Sequence, residues 1–185
     1  MIVNEYTKKE LVNLSKTSGF DRFHRRMTVN LSEYKLNKIE LGRFASNQPH
    51  LVLYFTVRGY EVVIQMSNFS KRLRINSDNR KNGETLRDVI IKAFDQTLKM
   101  NDVMVRCSCP DFFYRFSYLA TRDSFGYKTD QSIPAPIRNP NGEGSMCKHL
   151  TRLLNSPTSW RFKVVTAIVD VLGQNPYALG GDVVD

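Results

Sequence analysis

The amino-acid sequence predicts an α+β fold: a small, mainly antiparallel sheet, flanking helices, and a strand–loop–helix stapled by zinc. Three observations carry this reading. Apolar residues alternate on both sides of Arg58-Gly59, they recur at helical spacing in two longer segments, and all three cysteines fall with one histidine into two close pairs. Strands joined by a short turn pair antiparallel, whereas a parallel sheet needs a long crossover between strands.

The chain opens on a helix. In Thr7-Lys8-Lys9-Glu10 the hydroxyl and the carboxylate can each satisfy an open backbone N–H, the arrangement of a capping box. Leu11 and Leu14 would face inward, and Gly19 would stop the helix. Residues 27–31 alternate like a strand, and residues 36–41 fit either a strand or a helix. Leu51, Leu53, Phe55 and Val57 then share one face of a strand, and Tyr60, Val62, Ile64 and Met66 one face of the next. Residues 71–82 are basic and contain Ser77-Asp78-Asn79 and Asn82-Gly83, which reads as a strand end and an exposed loop.

The clearest helix spans residues 84–99, capped by Asn82. Its apolar stripe is Leu86, Val89, Ile90, Ala93, Phe94, Thr97 and Leu98. Residues 102–106 form a short strand that leads into Cys107. The last helix starts at Ser156-Pro157-Thr158, carries Trp160, Val164, Val165, Ile168, Val171 and Leu172 on its apolar face, and stops at Gly173. Residues 174–185 read as a tail.

The two cysteine pairs are Cys107-Ser108-Cys109 and Cys147-Lys148-His149. Structural zinc takes four sulfur or nitrogen ligands in a tetrahedron. Residues i and i+2 of a strand point to the same side, so Cys107 and Cys109 converge if the chain bends at Ser108. In a helix the same spacing diverges by about 200°. Cys147 must therefore lie at or before a first turn, with the helix running on through Leu150, Leu153 and Leu154. The expectation is one structural Zn2+ held by Cys107, Cys109, Cys147 and His149. The alternative is three buried thiols and a surface histidine, which leaves the pairing unexplained.

A Cys-x-Cys pair followed by Cys-x-His resembles the SWIM-type zinc finger. That family occurs in transposase-like proteins, chromatin ATPases and other nucleic-acid-associated proteins, and the resemblance implies the same four ligands and a DNA or protein partner. The 37 residues between Cys109 and Cys147 exceed the usual SWIM loop. The fuller string Cys-Ser-Cys-Pro-Asp-Phe-Phe-Tyr-Arg-Phe, followed by Ile137-Arg138-Asn139-Pro140-Asn141 and Cys147-Lys148-His149-Leu150, is similar to proteins encoded by large-genome bacteriophages. That likeness implies a location in the host cytoplasm or in a virion.

Between the pairs lie Phe112, Phe113, Tyr114, Phe116, Tyr118, Phe125 and Tyr127, then Pro134, Pro136 and Pro140. These aromatics read as a stacking platform for single-stranded bases, with Arg115, Arg122 and Arg138 on phosphate, or as a small core packed over the metal site. The length of the segment favours the core, since long loops need buried contacts of their own.

The net charge is +9. The first hundred residues carry eighteen basic and ten acidic side chains, and the remainder nine and eight, so the positive field lies outside the cysteine region. Lys71, Arg72, Arg74, Arg80 and Lys81 oppose only Asp78 and are the expected nucleic-acid contacts. No apolar run reaches the roughly 18 residues of a membrane span. The opening residues lack the basic flank and apolar stretch of a signal peptide, and an odd cysteine count suits a reducing, cytoplasmic compartment.

No metalloprotease, phosphate-loop or nucleophile-elbow motif is present, and four protein ligands would close the zinc shell to substrate. Asp111 reads as a helix cap or a partner behind the metal ligands, and His24 and His50 stand alone. The expected organisation is a basic α+β domain over residues 1–100, a SWIM-like zinc-binding region over 101–156, and a C-terminal helix and tail over 157–185 packed on the same core. The expected function is a non-enzymatic structural-zinc binding module that contacts nucleic acid through the basic hairpin end and loop. The alternative is an assembly protein of a phage virion docking onto protein subunits. No small-molecule substrate is expected.

Overall fold

Turn chemistry fixes the centre of the sheet. Arg58 and Gly59 both take positive φ (51° and 82°), the pair of left-handed residues that a two-residue hairpin needs to match strand twist. The computed structural model describes residues 6–16, 33–42, 50–100, 102–134 and 136–174. The elements are α1 (Lys8–Lys16), β1 (Tyr34–Leu41), β2 (Leu51–Val57), β3 (Tyr60–Met66), α2 (Phe69–Asp78), α3 (Leu86–Met100), β4 (Val103–Cys107), α4 (Pro110–Arg115), α5 (Ser117–Arg122), α6 (Lys148–Asn155) and α7 (Pro157–Gln174). Among the described residues the fold is thus α+β, with a four-stranded antiparallel sheet in the order β1-β2-β3-β4 and seven helices.

Alternation along the strands divides the sheet into two faces. Leu51, Leu53, Phe55 and Val57 pair with Met66, Ile64, Val62 and Tyr60, and β4 adds Val103, Val105 and Cys107. This face meets α3 through Val89, Ile90, Ala93, Phe94 and Leu98, and α7 through Trp160, Val164, Val165, Ile168 and Leu172. Trp160 stands edge-on to Phe55 (5.3 Å) and Phe94 (5.5 Å), and its indole N–H donates to the Leu153 carbonyl at 2.9 Å. The other face carries only a small cluster of Val52, Val63 and Tyr127, with Tyr54 and Met104 beside it.

The outer edge of β4 is covered from two directions. Val103 N–H donates to the Tyr6 carbonyl at one end, and Val105 exchanges hydrogen bonds with Phe125 and Tyr127 at the other. An edge strand paired in this way offers no template to another chain.

Several expectations hold. The capping box of α1 forms, with the Thr7 N–H and hydroxyl both on Glu10 and Glu10 N–H on the Thr7 hydroxyl. Residues 36–41 resolve as strand. Four details differ. Residues 71–78 are helical, because Phe69 and Leu73, one turn apart, are buried against the core while Asn68 in a left-handed conformation turns the chain out of β3. The cap of α3 is Thr85 rather than Asn82, in a second box with Asp88. Gly173 lies inside α7, which runs to Gln174. The segment after Cys109 contains two short helices rather than an open loop. The strand over 27–31, the stop at Gly19, His24 and residues 175–185 of the tail lie outside the described residues, while Gln174 ends α7.

Phe94→Ala should cost about 3–5 kcal/mol, as for a buried aromatic that leaves a cavity. Urea unfolding followed by Trp160 fluorescence measures it. A loss below about 1 kcal/mol would show that α3 is not seated on the tryptophan.

Candidate metal centre

Each of the four cysteine–histidine side chains is placed by an element boundary. Cys107 is the last residue of β4, on the core-facing side with Val103 and Val105. Ser108 stays tied to β3, its N–H donating to the Glu61 carbonyl and its hydroxyl accepting from Glu61 N–H, both at 2.9 Å, and the bend falls one residue later than expected, at Cys109. Cys109 is the N-cap of α4, with Pro110 in the first turn, and its sulfur accepts from Phe112 N–H at 3.3 Å. Cys147 is the N-cap of α6, in extended conformation (φ −72°, ψ 169°), and His149 lies in the first turn. The arrangement deduced from helix geometry is therefore the one observed.

All four side chains are buried, and their ligand atoms lie within 4.8 Å of one another. His149 Nδ1 is 3.7 Å from Cys107 Sγ and 4.0 Å from Cys147 Sγ. A tetrahedral ion with sulfur at about 2.3 Å and nitrogen at about 2.0–2.1 Å sets a sulfur–nitrogen separation of roughly 3.6 Å. The cluster thus has the donors and very nearly the dimensions to hold one metal ion, with Cys107, Cys109, Cys147 and His149 as ligands.

The electrostatics point the same way. Cys107 is pushed up to about 12, first because its thiol donates to the Cys109 sulfur. Cys109 is held well below the usual thiol range by donation from Cys107 and then from Cys147. Burial, then the two neighbouring sulfurs, raise Cys147. Burial and the neighbouring sulfurs oppose charge on Cys147, and a cation among the three would let them ionise together.

The surroundings are built rather than loose. The Tyr60 ring lies 5.1 Å from that of His149 at a 35° tilt. The buried Ser145 hydroxyl ties the approach to Cys147 onto α1 through the Leu11 carbonyl at 2.7 Å. Asn139, which drew no role from the sequence, bonds the carbonyls of Arg115 and Glu143 and the Glu143 N–H, all at 3.0 Å. Asp111 is not the cap, since the Cys109 sulfur takes that position, and it pairs instead with Arg115 at 3.4 Å.

The aromatic segment divides. Phe112, Phe116 and Phe125 are buried in the main core rather than in a small core of their own, Tyr127 is buried in the cluster on the other face of the sheet, and Phe113 and Tyr114 remain half exposed. Arg122 is held in a two-pronged pair with Asp123, and Arg138 lies over the Tyr114 ring at 5.4 Å.

The basic residues occupy a helix and its exit, not the hairpin end expected from sequence. Lys71, Arg72 and Arg74 are on α2, with Lys71 exposed and Arg74 beside Asp78 at 3.9 Å. Arg80 and Lys81 follow, both exposed; Arg80 Nε donates to the Glu84 carbonyl and Lys81 N–H to the Glu84 carboxylate.

No family model matches this chain, and no curated protein or solved structure matches it either. The likeness to the SWIM-type finger therefore rests on ligand identity and spacing.

Reduced protein should take up one Co2+ per chain and show the sulfur-to-metal charge-transfer and visible bands of a tetrahedral thiolate site. Cys109→Ser and His149→Ala should weaken or abolish those bands. Reduced, folded protein that gives no such spectrum would reject the site.

Proposed function

We propose that Cys107, Cys109, Cys147 and His149 hold one structural Zn2+, and that the chain is a non-enzymatic binding module whose partner is nucleic acid. The observation that carries this reading is the donor set: three sulfurs and one imidazole nitrogen, all buried, sized for a closed tetrahedron. A catalytic zinc keeps one position open for water or substrate, and a Cys3His set fills all four. The ion then acts on folding, by joining the end of β4 to the starts of α4 and α6. The Cys-x-Cys and Cys-x-His pattern supports a SWIM-like finger with an enlarged loop.

The nucleic-acid side of the reading rests on charge. Lys71, Arg72, Arg80 and Lys81 project from α2 and its exit, with Arg74 partly neutralised by Asp78. Cations on a helix and an adjoining turn can follow a phosphate backbone without base contacts.

A second reading, docking onto protein subunits, is favoured by a different observation. Phe113 (53% exposed), Tyr114 (52%), Ile133 (68%) and Ile137 (91%) border a groove of about 420 Å3 on the metal-bearing half. Exposed apolar side chains gathered around one groove are the usual anchors of protein interfaces.

A salt titration separates the two. Three phosphate contacts give a slope of log affinity against log salt of about −2.7 on duplex DNA and about −2.1 on a single strand. Changing Lys71, Arg72 and Lys81 together to Ala should flatten it. Binding that is absent, or unmoved by the triple change, would favour the groove and a protein partner.

A further inference from the structure

A second cavity, of about 480 Å3, opens on the face of the sheet away from the helices that cover the core. None of the metal ligands lines it. Its walls include Val52, Met104 and Tyr127, the small cluster of that face. Two polar side chains in it lack adequate partners. His50 Nδ1 is buried with no hydrogen bond. Gln65, only 9% exposed, reaches the Met104 thioether with its amide nitrogen, at 3.4 Å. A thioether is a weak acceptor, and native proteins pair nearly all buried polar groups. Burial lowers the His50 pKa, so the imidazole is neutral at pH 7 and offers one donor and one acceptor.

The lining holds one cation and one carboxylate. Lys128 is the cation, and the Ser70 hydroxyl, at the start of α2, bonds the carbonyl of Gly42, another lining residue. The one carboxylate in the lining, Glu40, is engaged by Lys38 at 2.7 Å and by the Tyr54 hydroxyl at 3.2 Å.

We propose that this cavity takes a nucleobase, with Gln65 and His50 bonding its edge between Val52, Met104 and Tyr127, and with Lys128 meeting the attached phosphate. A carboxamide matches the adjacent donor and acceptor of a base edge, adenine above all. A base can enter a pocket only when unstacked, so the source is a single strand or a free nucleotide rather than a duplex. The inference rests on the nucleic-acid reading above and adds a base-reading site to its phosphate contacts.

The test uses the full chain and fluorescein-labelled oligo(dA), oligo(dC) and oligo(dT) of about twelve nucleotides, a length within the range that single-strand binders cover. Anisotropy at several salt concentrations is compared with titration of AMP. Oligo(dA) should bind about tenfold tighter than the weakest homopolymer. Gln65→Leu, which keeps the shape, should remove that preference without changing the salt slope. Lys71→Ala with Arg72→Ala should flatten the slope and keep the preference. His50→Gln, as a second variant with altered edge chemistry, should shift the order of bases if Gln65→Leu does not fold. AMP binding that depends on Gln65, without oligonucleotide binding, would support the pocket and assign it to a mononucleotide. Strands bound with the expected salt slope but no base preference would overturn the pocket alone. Failure of every oligonucleotide and of AMP to bind would overturn it together with the nucleic-acid reading.

Discussion

Three sulfurs within reach of one another in a protein interior cannot all carry charge unless a cation lies among them, and the half of the chain that follows β4 is organised around that constraint. Cys107, Cys109 and Cys147 converge there with His149, each at the boundary of a strand or helix. The positions are not interchangeable. Cys109 and Cys147 both stand at helix N-caps, but only the Cys109 sulfur accepts a backbone N–H, which favours negative charge there. Cys107 ends a strand whose pairing continues one residue further, through Ser108. The knuckle therefore lies between the sheet on one side and two helix starts on the other.

The sheet side of the molecule depends on a different force. Phe55, Phe94 and Trp160 meet edge to face at the centre of a core assembled from both ends of the chain. The two sides join at the elbow between α6 and α7, where Trp160 bonds the last turn of the helix that carries His149. The same core includes Leu11 from α1, Phe112 beside the cluster, and Leu172 near the end of α7. Apolar burial and the cysteine–histidine cluster thus brace one another, since Cys107, Cys109 and Cys147 belong to the same core.

What the sequence made legible was local. The hairpin, the stripe of α3 and the apolar face of α7 follow from period and turn chemistry, and the ligand set followed from asking where i and i+2 side chains can meet. The basic segment was misread because its apolar anchor begins two residues earlier, at Phe69, and pairs with Leu73 one turn on; a reading that starts at Lys71 sees only charge and turn formers. Pro110 directly after a capping residue is a helix-start signal that the length of the intervening segment obscured. The cavity on the open face had no sequence signal, since Gly42, His50, Gln65, Met104 and Tyr127 come from separate stretches of chain. Sites assembled only by register and strand order are invisible to periodicity.

The 37 residues between Cys109 and Cys147 have a consequence for how this chain can vary over time. Both ends of the segment are pinned at buried positions, and its first part is fixed by Phe112, Phe116 and Phe125 in the main core and by the bond from Asn139 to the Arg115 carbonyl. The stretch around Ile133 and Ile137 is exposed and contributes little to that framework. Closing a loop twice as long costs only about 0.6 kcal/mol more. Lineages could therefore lengthen, shorten or re-surface this tip while keeping the same scaffold beneath it, as antibody loops diversify on an unchanging sandwich. The part of the molecule most free to acquire new partners is the one whose two roots are most firmly held.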